Sequence, residues 1–508
     1  MFNFNKRTQR LGVLAAALGL LTTLNSCQDH RQAPAPEALP DVTVYGISGE
    51  TPNQLVRFNV RSSGTVDASL IVRDMEPGER LLGIDFRPAT GQLYGVSSAS
   101  RIYVIDLKTG ISRRVGTNPF TPAINGTIVG FDFNPAVDRI RIVTNTGQNL
   151  RLNPETGAVQ MVDGSINGAA GVALSGAAYT NNRAGTTTTT LYDIDPATDK
   201  LYRQDPPNDG KLVEVGPLGL DITGSAGFDI APDGRALVSV VFGGKSELQT
   251  IDLNTGRLQK LGDLPMNLIG LAIPTEPVAY AVDGGNSLHI FNPMNPAPVA
   301  KTLTGLQTGE IIVGLDFRPA NGQLYALGST SRLYTINTSS GAATQVGSGP
   351  FTPALSGGDY GFDFNPTVDR IRLVSSMGQN LRLNPETGAV GNIDGTLKPG
   401  TPTVSGAAYT NNFAAATTTT LYDIDSNTDQ LLIQAPPNDG VLTVVGSLGI
   451  DVSGANGFDI GGTSGTAYAI LSANGSTGIY RINLSTGAAT LMSPFPLAVR
   501  GFAVGLGF

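Results

Sequence analysis

The chain has 508 residues, of which 40% are hydrophobic and 15% charged, with 64 glycines, 32 prolines, one cysteine and no tryptophan. This length fits two domains or one large closed array, and the hydrophobic content is ample for a folded core. Frequent glycine and proline with few charged residues indicate short strands joined by tight turns, which points to an all-β protein. The net charge of −8 lacks the basic balance that phosphate binding needs, so no nucleic-acid partner is predicted.

Residues 1–27 have the pattern of a lipoprotein signal peptide. Three basic residues between positions 6 and 10 precede an apolar run of 14 residues, Leu11 to Leu24. This run is too short to span a bilayer core of about 30 Å comfortably. Cys27 ends the run Leu-Asn-Ser-Cys, which resembles a lipobox, so lipidation of Cys27 is predicted. Removal of the signal takes away three positive charges and leaves a net charge of −11.

Residues 28–41 are polar and proline-rich, and we interpret them as a semi-rigid tether. A single cysteine permits no intrachain disulfide, so an exported protein of this size must be held by its core and ring closure. The prediction is an exported lipoprotein of the cell envelope, in the outer membrane and facing either the periplasm or the outside. Its expected partners are the membrane, through the anchor, and an envelope protein or a glycan.

The rest of the chain is a duplication. Phe131–Val159 returns as Phe362–Val390 with 24 of 29 positions identical, and Tyr179–Gly210 returns as Tyr409–Gly440. The two offsets, 231 and 230 residues, are nearly equal, so the copies are collinear. We therefore predict a first repeat at 42–274 and a second at 275–508.

Each copy reads as a series of short strands. Gly83 to Gly116 contains four runs of four to eight residues, GIDFRP, QLYGVSS, RIYVID and ISRRVG, which is the dimension of a β-propeller blade. Similar units begin at Gly130, Ser175 and Gly227 in the first copy, and at Gly314, Gly361, Ser405 and Gly457 in the second. Val42–Val72 and Val278–Leu303 each supply three strands of a further unit. The predicted fold is an all-β propeller with ten four-stranded blades.

Each copy also ends in a spare strand, Gly270–Ile273 or Gly501–Val504. If each spare strand completes the three-stranded unit of its own copy, the chain forms two five-bladed rings without exposed edges. If the first spare strand merely continues into the next blade, the chain forms one ring of ten. The sequence leaves both closures open.

These motifs resemble a known family. The runs GxDFRPAxGQLY, FDFNPxVDRIRxVxxxGQNLRLNPETGAV, AAYTNN, TTTTLYDID and PPNDG occur in both copies and are similar to the signature of the bacterial domain of unknown function family 4394. The resemblance covers about Val42 to Phe508. It implies a propeller-like fold in exported or cell-envelope proteins, and it implies no particular activity.

Catalytic motifs are scarce. The two histidines, His30 and His289, are not duplicated, and the single thiol is expected to be acylated, so neither a nucleophilic triad nor a histidine-ligated zinc site is predicted. One aspartate recurs in the G-x-D-[FI] strand. Its carboxylate could accept hydrogen bonds from loop amides, bind a cation or take part in glycoside cleavage. The first, structural role is favoured, because a residue that recurs in many blades forms a symmetrical set and not the pair of carboxylates that glycoside cleavage needs. Its members are Asp85, Asp132, Asp229, Asp316, Asp363 and Asp459.

Two polar sets are candidate ligand sites. In the first, guanidiniums on adjoining strands either hold an anionic or sugar ligand or join neighbouring blades. Its members are Arg139, Arg141, Asn149 and Arg151, repeated as Arg370, Arg372, Asn380 and Arg382. The second set is the amide pairs of the YTNN motif, which suit glycan contact: Asn181, Asn182, Asn411 and Asn412.

A third set has the alternate spacing of a calcium loop but lacks the glycine and the glutamate that such a loop requires. Its members are Asp423, Asp425, Asn427 and Asp429, and the first copy loses one oxygen ligand at Ala197. No other cofactor is expected. The expected function is a non-enzymatic binding module of unknown ligand. The alternatives are a carboxylate-dependent polysaccharide hydrolase or lyase, and a structural envelope module.

Overall fold

The structure, a computed structural model, describes residues 39–454 and 456–508. The predicted signal peptide, Cys27 and most of the tether lie outside these residues. The strand content agrees with the prediction of an all-β chain, since 40 strands form ten four-stranded antiparallel sheets. In the described part of the chain, no helix is long and apolar enough to cross a bilayer.

The first twenty strands make one ring. In chain order they are β1 (Thr43–Ser48), β2 (Gln54–Asn59), β3 (Ala68–Ile71), β4 (Leu81–Phe86), β5 (Leu93–Ser97), β6 (Ile102–Ile105), β7 (Ser112–Val115), β8 (Val129–Asn134), β9 (Arg139–Thr144), β10 (Asn149–Leu152), β11 (Val159–Val162), β12 (Gly176–Tyr179), β13 (Leu191–Asp195), β14 (Lys200–Gln204), β15 (Leu212–Pro217), β16 (Ile222–Ile230), β17 (Ala236–Phe242), β18 (Lys245–Ile251), β19 (Leu258–Asp263) and β20 (Leu268–Ala272).

The second twenty strands make the other ring. They are β21 (Ala279–Asp283), β22 (Ser287–Asn292), β23 (Asn295–Thr302), β24 (Ile312–Arg318), β25 (Gln323–Gly328), β26 (Arg332–Ile336), β27 (Ala343–Val346), β28 (Tyr360–Asn365), β29 (Arg370–Ser375), β30 (Asn380–Leu383), β31 (Val390–Ile393), β32 (Val404–Tyr409), β33 (Leu421–Asp425), β34 (Gln430–Gln434), β35 (Leu442–Ser447), β36 (Gly457–Ile460), β37 (Ala467–Ala473), β38 (Ser476–Ile482), β39 (Ala489–Pro494) and β40 (Val499–Val504). Short 3₁₀ turns occupy Val60–Ser62, Pro207–Asp209 and Pro437–Asp439.

Strand pairing decides between the two predicted closures. Strand β20 pairs with β1, with Ala272 opposite Tyr45, and β40 pairs with β21, with Val504 opposite Ala279. The innermost strands β4, β8, β12, β16 and β20 contact one another in a closed circle, and β24, β28, β32, β36 and β40 do the same. The chain therefore forms two five-bladed rings, and the alternative of a single ten-bladed ring is wrong. Each ring is closed by a strand from the end of its own copy.

We number the blades along the chain. Blade 1 contains β1–β3 and β20, blades 2 to 5 contain β4–β7, β8–β11, β12–β15 and β16–β19, and blade 6 contains β21–β23 and β40. Blades 7 to 10 contain β24–β27, β28–β31, β32–β35 and β36–β39.

The core lies between the faces of neighbouring blades. Tyr94 of blade 2 meets Phe133 of blade 3 edge to face at 5.2 Å between ring centroids, and both side chains are fully buried. Tyr325 and Phe364 repeat this pair in the second ring at 5.1 Å. Full burial of one such side chain contributes about 1.5–3 kcal/mol. The alternation of apolar residues along each strand is therefore what stacks the blades.

Glycine allows the innermost strands to come together at the axis. A Cβ atom at Gly130 would lie 2.8 Å from the Cβ of Ala177 on the next innermost strand, closer than carbon atoms can approach. The same strand position is glycine in every blade, as in Gly83 and Gly176. This close approach brings the residue two positions later in each strand to the centre of the ring.

Candidate functional site

Three buried aspartates meet at the centre of each ring. Each of the six comes from the innermost strand of a different blade, and within a triad the ligand atoms lie within 4.8 Å of one another. The other two blades of each ring carry alanine at this position, such as Ala178 and Ala272. The triads are Asp85, Asp132 and Asp229 in the first ring, and Asp316, Asp363 and Asp459 in the second.

The triads join neighbouring blades. In blade 2, Asp85 accepts the backbone N–H of Phe133 in blade 3 at 2.8 Å. Asp132 in blade 3 accepts the N–H of Tyr179 in blade 4 at 3.0 Å. Asp229 in blade 5 accepts the N–H of Ile273 after β20 at 2.5 Å. These bonds agree with the structural role that recurrence of the aspartate suggested.

Among the described residues, one oxygen of each triad has no hydrogen-bond partner. Oδ2 of Asp132, and Oδ2 of Asp363 in the second ring, make no hydrogen bond within the described residues. Burial raises the pKa of Asp132 well above its ordinary value, and the nearby Asp85 and Asp229 carboxyls raise it further. The triad therefore favours protonated carboxyl groups, or a bound cation that would neutralise them.

The axial space beside the inner glycines is small. In the first ring it has a volume of about 10 Å³. Such a space holds one water molecule at most, and a sugar ring is far larger. The distance between the carboxylates fits metal binding or proton sharing better than cleavage of a polymer.

Arg141 and Arg372, two of the predicted arginines, bridge blades. Arg141 is 1% exposed, and its Nη1 donates to Asp163 at 2.6 Å and to Asn149 at 2.7 Å in its own blade. Its Nη2 donates to Asn208 at 2.9 Å, and its Nε to the Tyr179 hydroxyl at 3.2 Å, both in blade 4. Arg372 makes the equivalent four contacts in the second ring, with Asp394, Asn380, Asn438 and Tyr409.

The remaining members of this set also bind within the protein. Arg151 holds both oxygens of Asp163 at 2.6 and 2.8 Å, and Asn149 donates to the carbonyls of Gly164 and Pro207, each at 3.0 Å. Arg139 donates to the main-chain oxygen of Asp138 at 2.7 Å. Arg370, Asn380 and Arg382 repeat these contacts. The geometry favours the interblade alternative over the ligand alternative.

The YTNN asparagines lie in the loops β12–β13 and β32–β33. Asn182 and Asn412 are 0% and 1% exposed, so they present no glycan-contacting surface. Asn181 donates to the carbonyl of Thr188 at 2.9 Å, and Asn411 to that of Thr418 at 2.8 Å. The side chains of Asn181 and Asn411 order their own loops, whereas neither polar atom of the Asn182 amide has a hydrogen-bond partner among the described residues.

The calcium-loop residues do not form a shared ligand set. Asp423 is fully buried, with no hydrogen bond to either oxygen inside the described ranges. Asp425 accepts the N–H of Thr403 at 3.1 Å and of Asn427 at 2.9 Å, and Asp429 accepts that of Val452 at 2.7 Å. Two of the acids thus cap turns. Asp423, Asp425 and Asp429 are not among the described clusters with metal-binding spacing.

A different region could hold a ligand. The two rings meet through buried polar contacts: Arg87, bound to Asp138 at 2.9 Å, also donates to the carbonyl of Gly322 in the second ring at 3.0 Å. In return, the Tyr280 hydroxyl donates to the carbonyl of Ala89 at 3.0 Å. Beside this junction lies a cavity of about 340 Å³.

Apolar side chains make up most of the cavity wall. The first ring contributes the β6–β7 hairpin and the start of β5, and the second ring contributes the tip of the β32–β33 loop and the C-terminal segment. Phe413 and Ile111 keep 42% and 40% of their surface exposed. The apolar residues that shape it include Leu93, Val104, Leu107, Ile111, Phe413 and Leu506.

Two cations and one acid also line the cavity. Arg113 donates to the carbonyls of Ala320 at 2.5 Å and Pro319 at 3.4 Å, and it forms no ion pair with a described carboxylate. Burial lowers its pKa. Lys108 donates to the carbonyl of Thr463 at 2.7 Å, and Oδ1 of Asp106 accepts the N–H of Lys108 at 2.9 Å.

These residues were not predicted from the sequence, because the predicted sites consist of residues that the two copies share. The cavity wall is where the copies differ. Arg113 corresponds to Thr344, Lys108 to Ser339, and Phe413 to Arg183. Leu107 corresponds to Thr338, and Ala415, at φ 61°, to Gly185. The signal that the sequence does carry is the change of residue type at these positions between the two copies.

The remaining histidine is structural. Nε2 of His289 lies 2.8 Å from Asp283 across the β21–β22 hairpin, and the residue is 5% exposed. His30 and Cys27 lie outside the described residues.

Fold and site together define a class of protein: a tandem pair of five-bladed β-propellers with a cavity of ligand size at the junction. The model of the family described as "Domain of unknown function (DUF4394)" matches residues 54–272 and 287–503. The chain belongs to this family and contains two copies of its domain.

The other comparisons add little. A search of curated proteins found no match. Among solved structures, the chain is similar to the extracellular domain assigned to the hybrid two component system BT4673 from B. thetaiotaomicron, with 10% identity and a TM-score of 0.27. The match covers 90% of this chain and 65% of that structure, so the chain spans about two thirds of its length.

Proposed function

We propose that the protein is an exported, lipid-anchored binding module of the cell envelope that holds a small ligand between its two propellers and catalyses no reaction. The main evidence for this proposal is the cavity of about 340 Å³ at the junction. Ligand sites favour the interfaces between domains, and they combine apolar walls with a few polar groups. Leu107, Phe413 and Arg113 provide that combination here.

Two observations weigh against the hydrolase or lyase alternative. The axial aspartates accept backbone N–H groups from neighbouring blades, as Asp85 and Asp132 do. The axial space beside the inner glycines has a volume of only about 10 Å³, which leaves no room for a sugar. These carboxyl groups suit a role in stability.

The binding proposal is tested with the mature protein and a library of small organic acids, amines, alcohols and sugars. A ligand at 100 times its Kd should raise the free energy of unfolding by about 2.7 kcal/mol, which thermal denaturation detects. The matched control is Ala414→Phe, which fills the cavity from its loop wall. A shift that persists in this variant comes from another site, and the absence of any shift favours the structural-module alternative.

The lipid anchor is tested separately at Cys27. The wild-type chain should incorporate an alkyne-labelled palmitate analogue and sediment with membranes, because several acyl chains on one terminus give stable anchoring. Cys27→Ser should lose the label and leave the membrane fraction. Equal labelling of both proteins would overturn lipidation at this residue and leave the binding proposal untouched.

A further inference from the structure

We propose that the cavity between the rings recognises an organic anion with a compact apolar body, whose acidic group pairs with the guanidinium of Arg113 and lies beside Lys108. This inference rests on the proposed function and deepens it by naming the chemical class of the ligand. The site is formed once per chain, because it lies at the junction and not within a repeated blade.

Arg113 differs from the buried arginines that join neighbouring blades. The guanidiniums that stand between blades are matched to carboxylates: Arg87 to Asp138, Arg141 to Asp163, and Arg372 to Asp394. Arg113 uses two of its five donors on main-chain carbonyls and forms no such pair among the described residues. A partly buried guanidinium gains most from a carboxylate or phosphate-like partner, which it can hold by two parallel hydrogen bonds.

The lining carries a net positive charge. Lys108 and Arg113 outnumber Asp106, whose Oδ1 is occupied by the turn it caps. Lys108 is exposed at the rim, where an ammonium attracts an anion without a large desolvation cost. Charge therefore selects an acidic ligand over a basic one.

The apolar wall limits the body of the ligand. Leu93 and Ile105 are almost fully buried, and Leu107, Ile111 and Phe413 continue this surface towards the mouth. Hydroxyl groups placed against these side chains would lose water without gaining partners. A cavity of about 340 Å³ is at the small end of the range for ligand pockets, so it suits a metabolite-sized acid and not a glycan chain.

The residues that differ between the two copies include both the apolar and the charged residues of the cavity wall. In the second copy, Val104 is replaced by Thr335, Leu107 by Thr338 and Ile111 by Ala342, while the two cations become Ser339 and Thr344. The positive charge and the part of the apolar wall that lies on the β6–β7 hairpin thus belong to the first copy, and Phe413 and Leu506 of the second copy complete the wall. The backbone at Ala415 also adopts a left-handed conformation that alanine disfavours, and such strain concentrates at functional sites.

The test is isothermal titration calorimetry of the full mature protein with hexanoate, benzoate and phenylacetate, each compared with its neutral primary amide. We expect one ligand per chain, and affinity for each acid at least about 10-fold higher than for its amide, because hydrogen bonds to a charged group add roughly this factor. This comparison uses the unaltered protein and does not depend on the folding of a variant.

Substitutions then test which cationic side chain binds the acidic group of the ligand. Arg113→Thr introduces the residue of the second copy and should weaken acid binding by about 10- to 100-fold. Lys108→Ser, at the exposed rim, should weaken it by a few fold at low salt. The matched control is Arg114→Thr, because Arg114 is adjacent on β7 but pairs with Glu76 and does not line the cavity. It should bind as the wild type does.

The outcomes separate the two proposals. If the amides bind as well as the acids, and Ala414→Phe abolishes both, the ligand class is wrong while the binding function stands. If Arg113→Thr and Arg114→Thr bind the acids equally, Arg113 is not the recognition residue and the inference is overturned. If neither acids nor amides bind and the wider library is silent, both proposals fail.

Discussion

Replacement of Arg141 by methionine is expected to lower the free energy of unfolding by about 3–5 kcal/mol, the cost of leaving a buried ionic partner unmatched. The guanidinium is 1% exposed and serves Asp163, Asn149, Asn208 and the Tyr179 hydroxyl together. Methionine fills about the same volume as the aliphatic part of the arginine side chain, but it makes none of these hydrogen bonds. Urea denaturation, followed by the fluorescence of the tyrosines, measures the loss.

The control for this prediction lies on the same strand. Arg139 is two residues away, partly exposed, and donates to a main-chain oxygen of Asp138, so Arg139→Met should change the free energy of unfolding by no more than about 0.5 kcal/mol. Arg372→Met and Arg370→Met repeat the pair in the second ring. If both substitutions lower the free energy of unfolding equally, the interblade role of Arg141 is contradicted. A ligand-binding role for the arginine set would then be favoured.

The architecture was predictable because the relevant signals are local and repeated. Alternating apolar runs, with glycine or asparagine at the turns, defined four-stranded units, and the duplication showed that they form an array. Ring closure could not be decided, because β20 has the same local sequence pattern whether it pairs with β1 or continues towards β21. The actual partner depends on contacts between residues some 225 positions apart, such as Tyr45 and Ala272.

The site was harder to predict for a related reason. The internal repeat favours the prediction of sites from residues that both copies share. Arg141 and Asp85 are shared because the blades of each ring must be joined. A cavity between two rings depends instead on how one ring meets the other. Arg113, Lys108 and Phe413 come from different copies, and nothing in the linear sequence places Phe413 beside the β6–β7 hairpin.

The second large effect is expected at the axis. Asp132→Asn should stabilise the protein at pH 8 and have little effect near pH 4. The amide keeps the bond from the Tyr179 N–H and replaces the oxygen that has no partner among the described residues with a neutral NH₂ group. It thereby removes one of three crowded carboxyls, whose ionisation burial opposes.

The direction of the pH dependence follows from the raised pKa values. Burial raises the pKa of Asp193 and of Asp423 to about 8, and it also raises the pKa values of the triad aspartates. Between about pH 4 and pH 8, these carboxyl groups therefore bind more protons in the folded chain than in the unfolded chain. The free energy of unfolding must therefore fall as pH rises through this window. The gap between Asp132→Asn and the wild type should widen by about 1.4 kcal/mol per pH unit until the folded-state pKa of Asp132 is reached.

Asp85→Asn is the matched control for this axial prediction. Both oxygens of Asp85 accept backbone N–H groups, from Phe86 at 2.7 Å and Phe133 at 2.8 Å, so an amide leaves one buried donor without an acceptor. It should be about 1–3 kcal/mol less stable than Asp132→Asn at every pH. Thermal denaturation from pH 4 to pH 8, with and without a chelator, measures both variants. If calcium stabilises the wild type and Asp132→Asn is the less stable protein at pH 8, then the triads hold a cation and not shared protons.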